Sequence, residues 1–127
     1  MTSSEIYDAI GDWLVSHNFS TGYKLQKRFW KETEGSQIDR FIVIQRMGGA
    51  NSEEAVTRDS YRILIISAIG DTNIDEVDDL ASRIRSAMLD DYQTGCIISM
   101  RPIGGISDHM SENRIFFEIN FNTIISR

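Results

Sequence analysis

The residues able to do chemistry are few, and their spacing is unhelpful. "ISDHMSEN" sets Ser107, Asp108 and His109 side by side. A nucleophile–base–acid triad needs its three groups to converge from separate elements, whereas neighbours on an extended chain point apart. The stretch therefore reads as a polar turn. Two His and one Cys in the whole chain give zinc-type ligation no ligand set. "MGGANSE" and "IGGIS" hold Gly pairs without a Walker Lys-Ser/Thr or a G-x-G-x-x-G spacing, and read as turn glycines able to adopt positive φ. Glu118 alone among the carboxylates sits in an apolar run, on the outward face of a strand, where it reads as an exposed or interface group. The acid run Asp75–Asp79 has no converging His and reads as a solvated helix face. No catalytic residue, no metal site and no cofactor is expected.

The elements around these residues are clearer. In "TSSEIYDAIGDWLVSH", Ile6, Ile10, Trp13, Leu14 and His17 recur at helical spacing behind a capping box of Thr2 and Glu5, and Asn18 ends the helix. His17 falls on or beside the packed face, as a structural histidine. "YKLQKRFW" alternates loosely, as an irregular or edge strand. It forms a local basic patch from Lys24 to Lys31, in which Phe29 and Trp30 cover part of the core or, alternatively, stack on nucleic-acid bases. "RFIVIQR" and "SYRILIISAIG" are strands. "DTNIDEVDDLASRIRSAMLDD" is the clearest helix, capped by Thr72 or Asn73, with an apolar stripe of Ile74, Val77, Leu80, Ala81, Ile84, Ala87 and Met88. "CIISMRP" is a strand ended by Pro102, with Cys96 as a small buried hydrophobe. In "RIFFEINFNTIIS", Ile115, Phe117, Ile119, Phe121, Thr123 and Ile125 face one way, and Arg114, Glu118, Asn120 and Asn122 the other.

This order predicts an α+β fold over 1–127 as one domain. Its antiparallel-rich sheet has four to five strands, with two helices packed on one face. Two long polar connections, 47–60 and 104–113, each with a Gly pair and charges, are expected to emerge from the same end of the sheet. Most hairpin loops need about two to five residues, so the first, "MGGANSEEAVTRDS", is expected to extend the hairpin as a long two-stranded arm.

Hydrophobic residues at 41% and charged residues at 25% describe an ordinary globular chain of 127 residues, able to bury a core without disulfides or metal. The net charge of −6 argues against a surface built to coat duplex DNA. No segment reaches the length of a membrane span. The N-terminus has neither a basic start nor an apolar stretch of signal length, so a cytoplasmic protein is expected.

The whole chain resembles the tail terminator proteins of long-tailed bacteriophages, the lambda-type family that caps the tail tube. The likeness is carried by "EIYDAIGDWLVSH", by "RFIVIQRMGG" running into a Gly-pair arm, by "RDSYRILIISAIGD" leading into "IDEVDDLASRIRSAM", and by "ENRIFFEINFNTII". The resemblance implies a non-enzymatic virion protein that forms a homohexameric ring. It implies that the ring caps the major tail tube protein, ends polymerisation and offers a surface to a head-completion or neck protein, with DNA only as passing cargo and no membrane. Its place would be the head-proximal end of the tail, after assembly in the host cytoplasm. By the same analogy Arg46, Gly48, Gly49, Glu53, Glu54, Arg58 and Asp59 would lie at subunit interfaces. The other readings are a head-completion or neck connector protein, a small cytoplasmic protein-binding adaptor, and an enzyme with a site between the two long loops.

Overall fold

The computed structural model describes residues 3–31, 38–53, 56–95 and 97–126. Helix α1 (Ser3–Ser16) ends where the sequence places its stop. Asn18 takes a left-handed φ of 62°. The amides of Asn18 and Phe19 donate back to the carbonyls of Val15 (2.9 Å) and Leu14 (3.0 Å), a Schellman closure that satisfies two orphan carbonyls. Thr2, half of the expected capping box, lies outside the described residues. Helix α2 (Ile74–Asp90) is capped by Asn73, whose side chain accepts from the Glu76 amide and donates to the Glu76 carboxylate. Val77, Leu80, Ala81, Ile84 and Met88 of its stripe are buried.

The strands are β1 (Lys24–Lys27), β2 (Phe41–Glu53), β3 (Val56–Ile66), β4 (Ile97–Pro102), β5 (Ser107–Ser111) and β6 (Arg114–Ser126). Among the described residues they form one six-stranded sheet in the order β1-β2-β3-β6-β4, with β5 also paired to β6. The expected count of four to five was too low because β5 arises inside a stretch read as loop. The two-residue turn Glu112–Asn113, with φ of 51° and 64°, folds it back onto β6 as a type I′ hairpin. All pairings are antiparallel except β1 with β2.

The alternation in β6 holds. Phe117, Ile119, Phe121, Thr123 and Ile125 are buried, and Ile115 packs beside them. The cluster that holds the apolar members joins Ile42 and Ile44 of β2, Tyr61, Ile63 and Ile65 of β3, and the apolar residues of α1 and α2. Three contacts tie α1 to the chain that leaves α2. The Trp13 indole donates to the Asp91 carbonyl (2.9 Å), His17 Nε2 lies 2.8 Å from Asp91 Oδ2, and Thr94 Oγ1 donates to the Ala9 carbonyl. His17 also stacks on Phe19, as befits a structural histidine. Cys96 lies outside the described residues.

The opposite face is less simple than the sequence pattern. Phe41, Val43, Leu64, Ile66 and Phe116 form a second buried cluster, with Trp30 packed edge-on against the Phe41 and Phe116 rings. Arg114, assigned to the polar face, lies on that face but is fully buried. Its Nη1 donates to the carbonyls of Asp39 and Ser67, each at 2.9 Å, and its guanidinium lies over the rings of Trp30 and Phe41. The cause is topological. A parallel β1–β2 pair requires a crossover, and the chain leaving β1 lays Trp30 across this end of the sheet.

Arg40 locks the start of β2 to the β3–α2 connection. Its Nε and Nη2 form a fork on the Asp71 carboxylate (2.8 and 2.9 Å), while Nη1 reaches Glu76 at 3.0 Å. Asp71 also accepts the amides of Ala68 and Asn73. The Arg40 guanidinium holds the Asp71 carboxyl well below the usual carboxylate range, and the two amides add to this against the opposing effect of burial.

Two outcomes are expected. Phe117→Ala should lower stability by about 3–5 kcal/mol in urea unfolding, because its ring is fully packed; an unchanged midpoint would mean the faces of β6 are reversed. Asp71→Asn should cost about 2–3 kcal/mol near neutral pH through the lost charge-assisted fork. Because the native Asp71 pKa is depressed, its contribution is complete above the unfolded value near 4 and fades as pH falls below it. Urea midpoints of wild type and variant should therefore converge in acid; a constant gap would contradict this assignment.

Candidate functional site

The long connection between the two core strands is itself mostly strand. β2 and β3 pair regularly from Phe41↔Ile66 to Arg46↔Tyr61, then continue through Gly48↔Ser60, Gly49↔Asp59, Ser52↔Thr57 and Glu53↔Val56. Irregularities between Arg46 and Gly48, and between Gly49 and Ser52, each insert one extra residue into β2. Such bulges bend and twist an edge strand. Gly48 and Gly49 are thus strand residues between two bulges, not turn glycines; Gly104, with φ of 66°, does serve a turn.

The expected two-stranded arm is also corrected. Val56, Thr57 and Arg58 pair with Ser126, Ile125 and Ile124, and Ile97 of β4 pairs with Ile125 in turn. β6 follows β3 to its tip, so the extension is a continuation of the sheet.

At its base the extension rests on α1. The Arg46 amide donates to the Tyr7 hydroxyl (3.2 Å), and the Tyr7 ring meets Tyr61 edge-on at 5.7 Å. Tyr61 is fully buried; burial first, then the nearby Asp59 charge, pushes its hydroxyl up to about 12. It stays a neutral packing group. Asp59 is half-buried, and its carbonyl accepts from the buried Thr123 hydroxyl (3.1 Å). Of the predicted interface residues, Arg46 has an exposed side chain beside Tyr61. Gly48, Gly49, Glu53 and Arg58 are placed by backbone pairing alone, and Glu54 lies outside the described residues.

The second polar connection does not join this group. The tip of the β2–β3 hairpin is level with Ser126, whereas the β5–β6 turn precedes Arg114, at the other end of β6. The two therefore emerge from opposite ends of the sheet, and a catalytic site between them has no geometry. Ser107, Asp108 and His109 alternate along β5, and the His109 ring stacks on Phe116 at 5.2 Å. Among the described residues no group of three His, Cys, Asp or Glu side chains could hold a metal ion. Among the described residues no helix is long and apolar enough to cross a membrane.

The basic stretch is likewise spoken for. Lys24 pairs with Asp39 at 2.8 Å and Lys27 with Asp8. Arg28 lies over the Tyr7 ring and bonds Ser4, and Trp30 is held between Phe41 and Phe116. Of the two aromatics expected to cover the core only Trp30 does so; Phe29 is 71% exposed. Glu118 is mostly buried, paired to Arg62 at 3.2 Å, while Arg62 also donates to Gln45 at 2.7 Å. The sequence reading missed the Arg62–Glu118 pair, the Arg40–Asp71–Glu76 cluster and the burial of Arg114.

Comparisons with known proteins agree with this architecture. A chain from the virion of a native gene transfer agent particle superposes with a TM-score of 0.68 at 8% identity, over 95% of this chain and 94% of that one. A second solved chain superposes with a TM-score of 0.59 at 12% identity, over 100% of this chain and 97% of that one. At such identities the likeness is one of fold. No curated protein matches. A sequence profile for phage tail termination proteins matches residues 3–127, nearly the whole chain. The chain therefore belongs to the phage tail termination protein family and is a structural protein of the phage tail.

Proposed function

We propose that the chain, as a single tail-terminator domain, assembles into a homohexameric ring on the head-proximal end of the tail tube. There it stops further polymerisation and presents a surface for head joining. Family membership over residues 3–127 carries the reading. The gene transfer agent chain of the same fold, taken from an assembled virion, supports it. The sheet extension is the element best suited to reach a neighbour, because three paired strands run along it beyond Tyr61. In this reading Arg46, Gly48, Gly49, Glu53, Glu54, Arg58 and Asp59 stand at subunit contacts, where pairing of Arg with carboxylates across a head-to-tail interface fixes the register of the ring. The partners are further copies of the chain, the tail tube protein and a neck protein, with DNA passing through the ring during assembly and delivery.

The test is to polymerise tail tube protein with and without the chain and image the products by electron microscopy. Tubes of limited length with a ring at one end are expected. Unlimited tubes, with the chain bound instead to head or portal, would replace this reading by the neck connector. Arg58→Glu should disturb ring formation, seen as a fall in mass by light scattering, while the melting temperature stays within a few degrees. Unchanged assembly would remove this part of the extension from the interface.

A further inference from the structure

Sheet edges are usually guarded against pairing with another chain, by bulges, prolines or covering segments. Two edges of this sheet are guarded in that way. The distal part of β2 carries two bulges. β4 carries one, ends at Pro102, and gives its Met100 amide to the Tyr92 carbonyl. β1 and β5 are different. Both pair without a bulge, neither contains Pro, and among the described residues no strand pairs with their outer edges, although the Phe29 amide donates to the Lys27 carbonyl at the end of β1 (3.0 Å). All five residues of β5 are exposed, and Met110 is 71% exposed.

These two edges match each other. Following the register across the sheet, Leu25 is level with Ile42, Ile65, Phe117 and finally Asp108, and Lys24 is level with His109. They lie at one height on opposite sides of one molecule, and their strands run in opposite directions. Their side chains also match by face. Leu25 and Lys27 both flank Gly11 of α1, and Asp108 and Met110 share the face of Phe117 and Ile115. Charge completes the fit. β1 bears Lys24 and Lys27, with side chains 57% and 41% exposed despite their own carboxylate partners. From Ile103 to Asn113 the chain has Asp108 and Glu112 but no Lys or Arg. Two β1 edges repel, two β5 edges repel, and only the unlike pair attracts.

We propose that β1 of one copy adds antiparallel to β5 of the next, so that the sheet runs on from subunit to subunit, with Leu25 against Met110 and Lys27 beside Asp108. This rests on the ring reading above and names its seam: a head-to-tail contact between opposite edges at one height, the kind that closes into a ring when the rotation allows. The two-residue turn makes Ser111 and Arg114 a hydrogen-bonded pair, so His109 and Ser107 point their amides toward β6. The amides of Asp108 and Met110 face the open edge. Proline at 110 therefore removes an outward donor while leaving the ladder to β6 intact.

Sedimentation velocity of the full chain over a wide concentration range, with circular dichroism to verify folding, tests the seam. Met110→Pro and Lys27→Glu should each weaken self-association about tenfold or more without loss of the folded spectrum. Asp108→Lys should do the same, and Lys27→Glu combined with Asp108→Lys in one chain should restore it. Wild-type association by all four variants would overturn the seam while leaving the ring itself standing. A wild-type chain that stays monomeric both in solution and with tail tubes would overturn both.

Discussion

The fold hangs on β6. Its thirteen residues pair with β3 along nearly their whole length on one side, and with β5 and then β4 on the other. A slip of one residue would turn Phe117, Ile119, Phe121 and Ile125 out of the core and bring Glu118, Asn120 and Asn122 into it, so the register is strongly specified. The strand is also the ruler against which everything else is measured. The tip of the β2–β3 hairpin, the two-residue turn before Arg114 and the bulge in β4 all take their height from it.

Charge is used chiefly for joining elements. Arg40 holds β2 to the entry of α2 through Asp71 and Glu76, and Arg85 clasps the Gly104 carbonyl, fixing the connection between β4 and β5. Arg114 is the extreme case, a buried guanidinium that bonds backbone carbonyls of two connections and lies between aromatic rings. A buried guanidinium is expensive to desolvate unless its donors are satisfied, which is why such a residue joins segments that must meet in one geometry. The remaining acidic residues on α2 stay at the surface.

The sequence by itself determined both helices, the stop at Asn18, the cap before α2, the faces of β6 and the family. These are local: periodicity of 3.6 or 2 and a capping residue depend on neighbours within a few positions. It also placed Glu118 on the outward face, but read as exposed or interfacial a side chain that pairs with Arg62 and is mostly buried. What only the tertiary structure decided depends on distant partners. β5 becomes a strand because β6 is there to pair with it, since nothing in "SDHMS" favours extension strongly. The extension gains a third strand because β3 and β6 run together to their ends. Arg114 is buried because the crossover from β1 brings Trp30 over it from more than eighty positions earlier. The two polar connections part to opposite ends because β6 runs antiparallel to β3 and β5 to β6, a fact of direction that no pattern along a single strand contains.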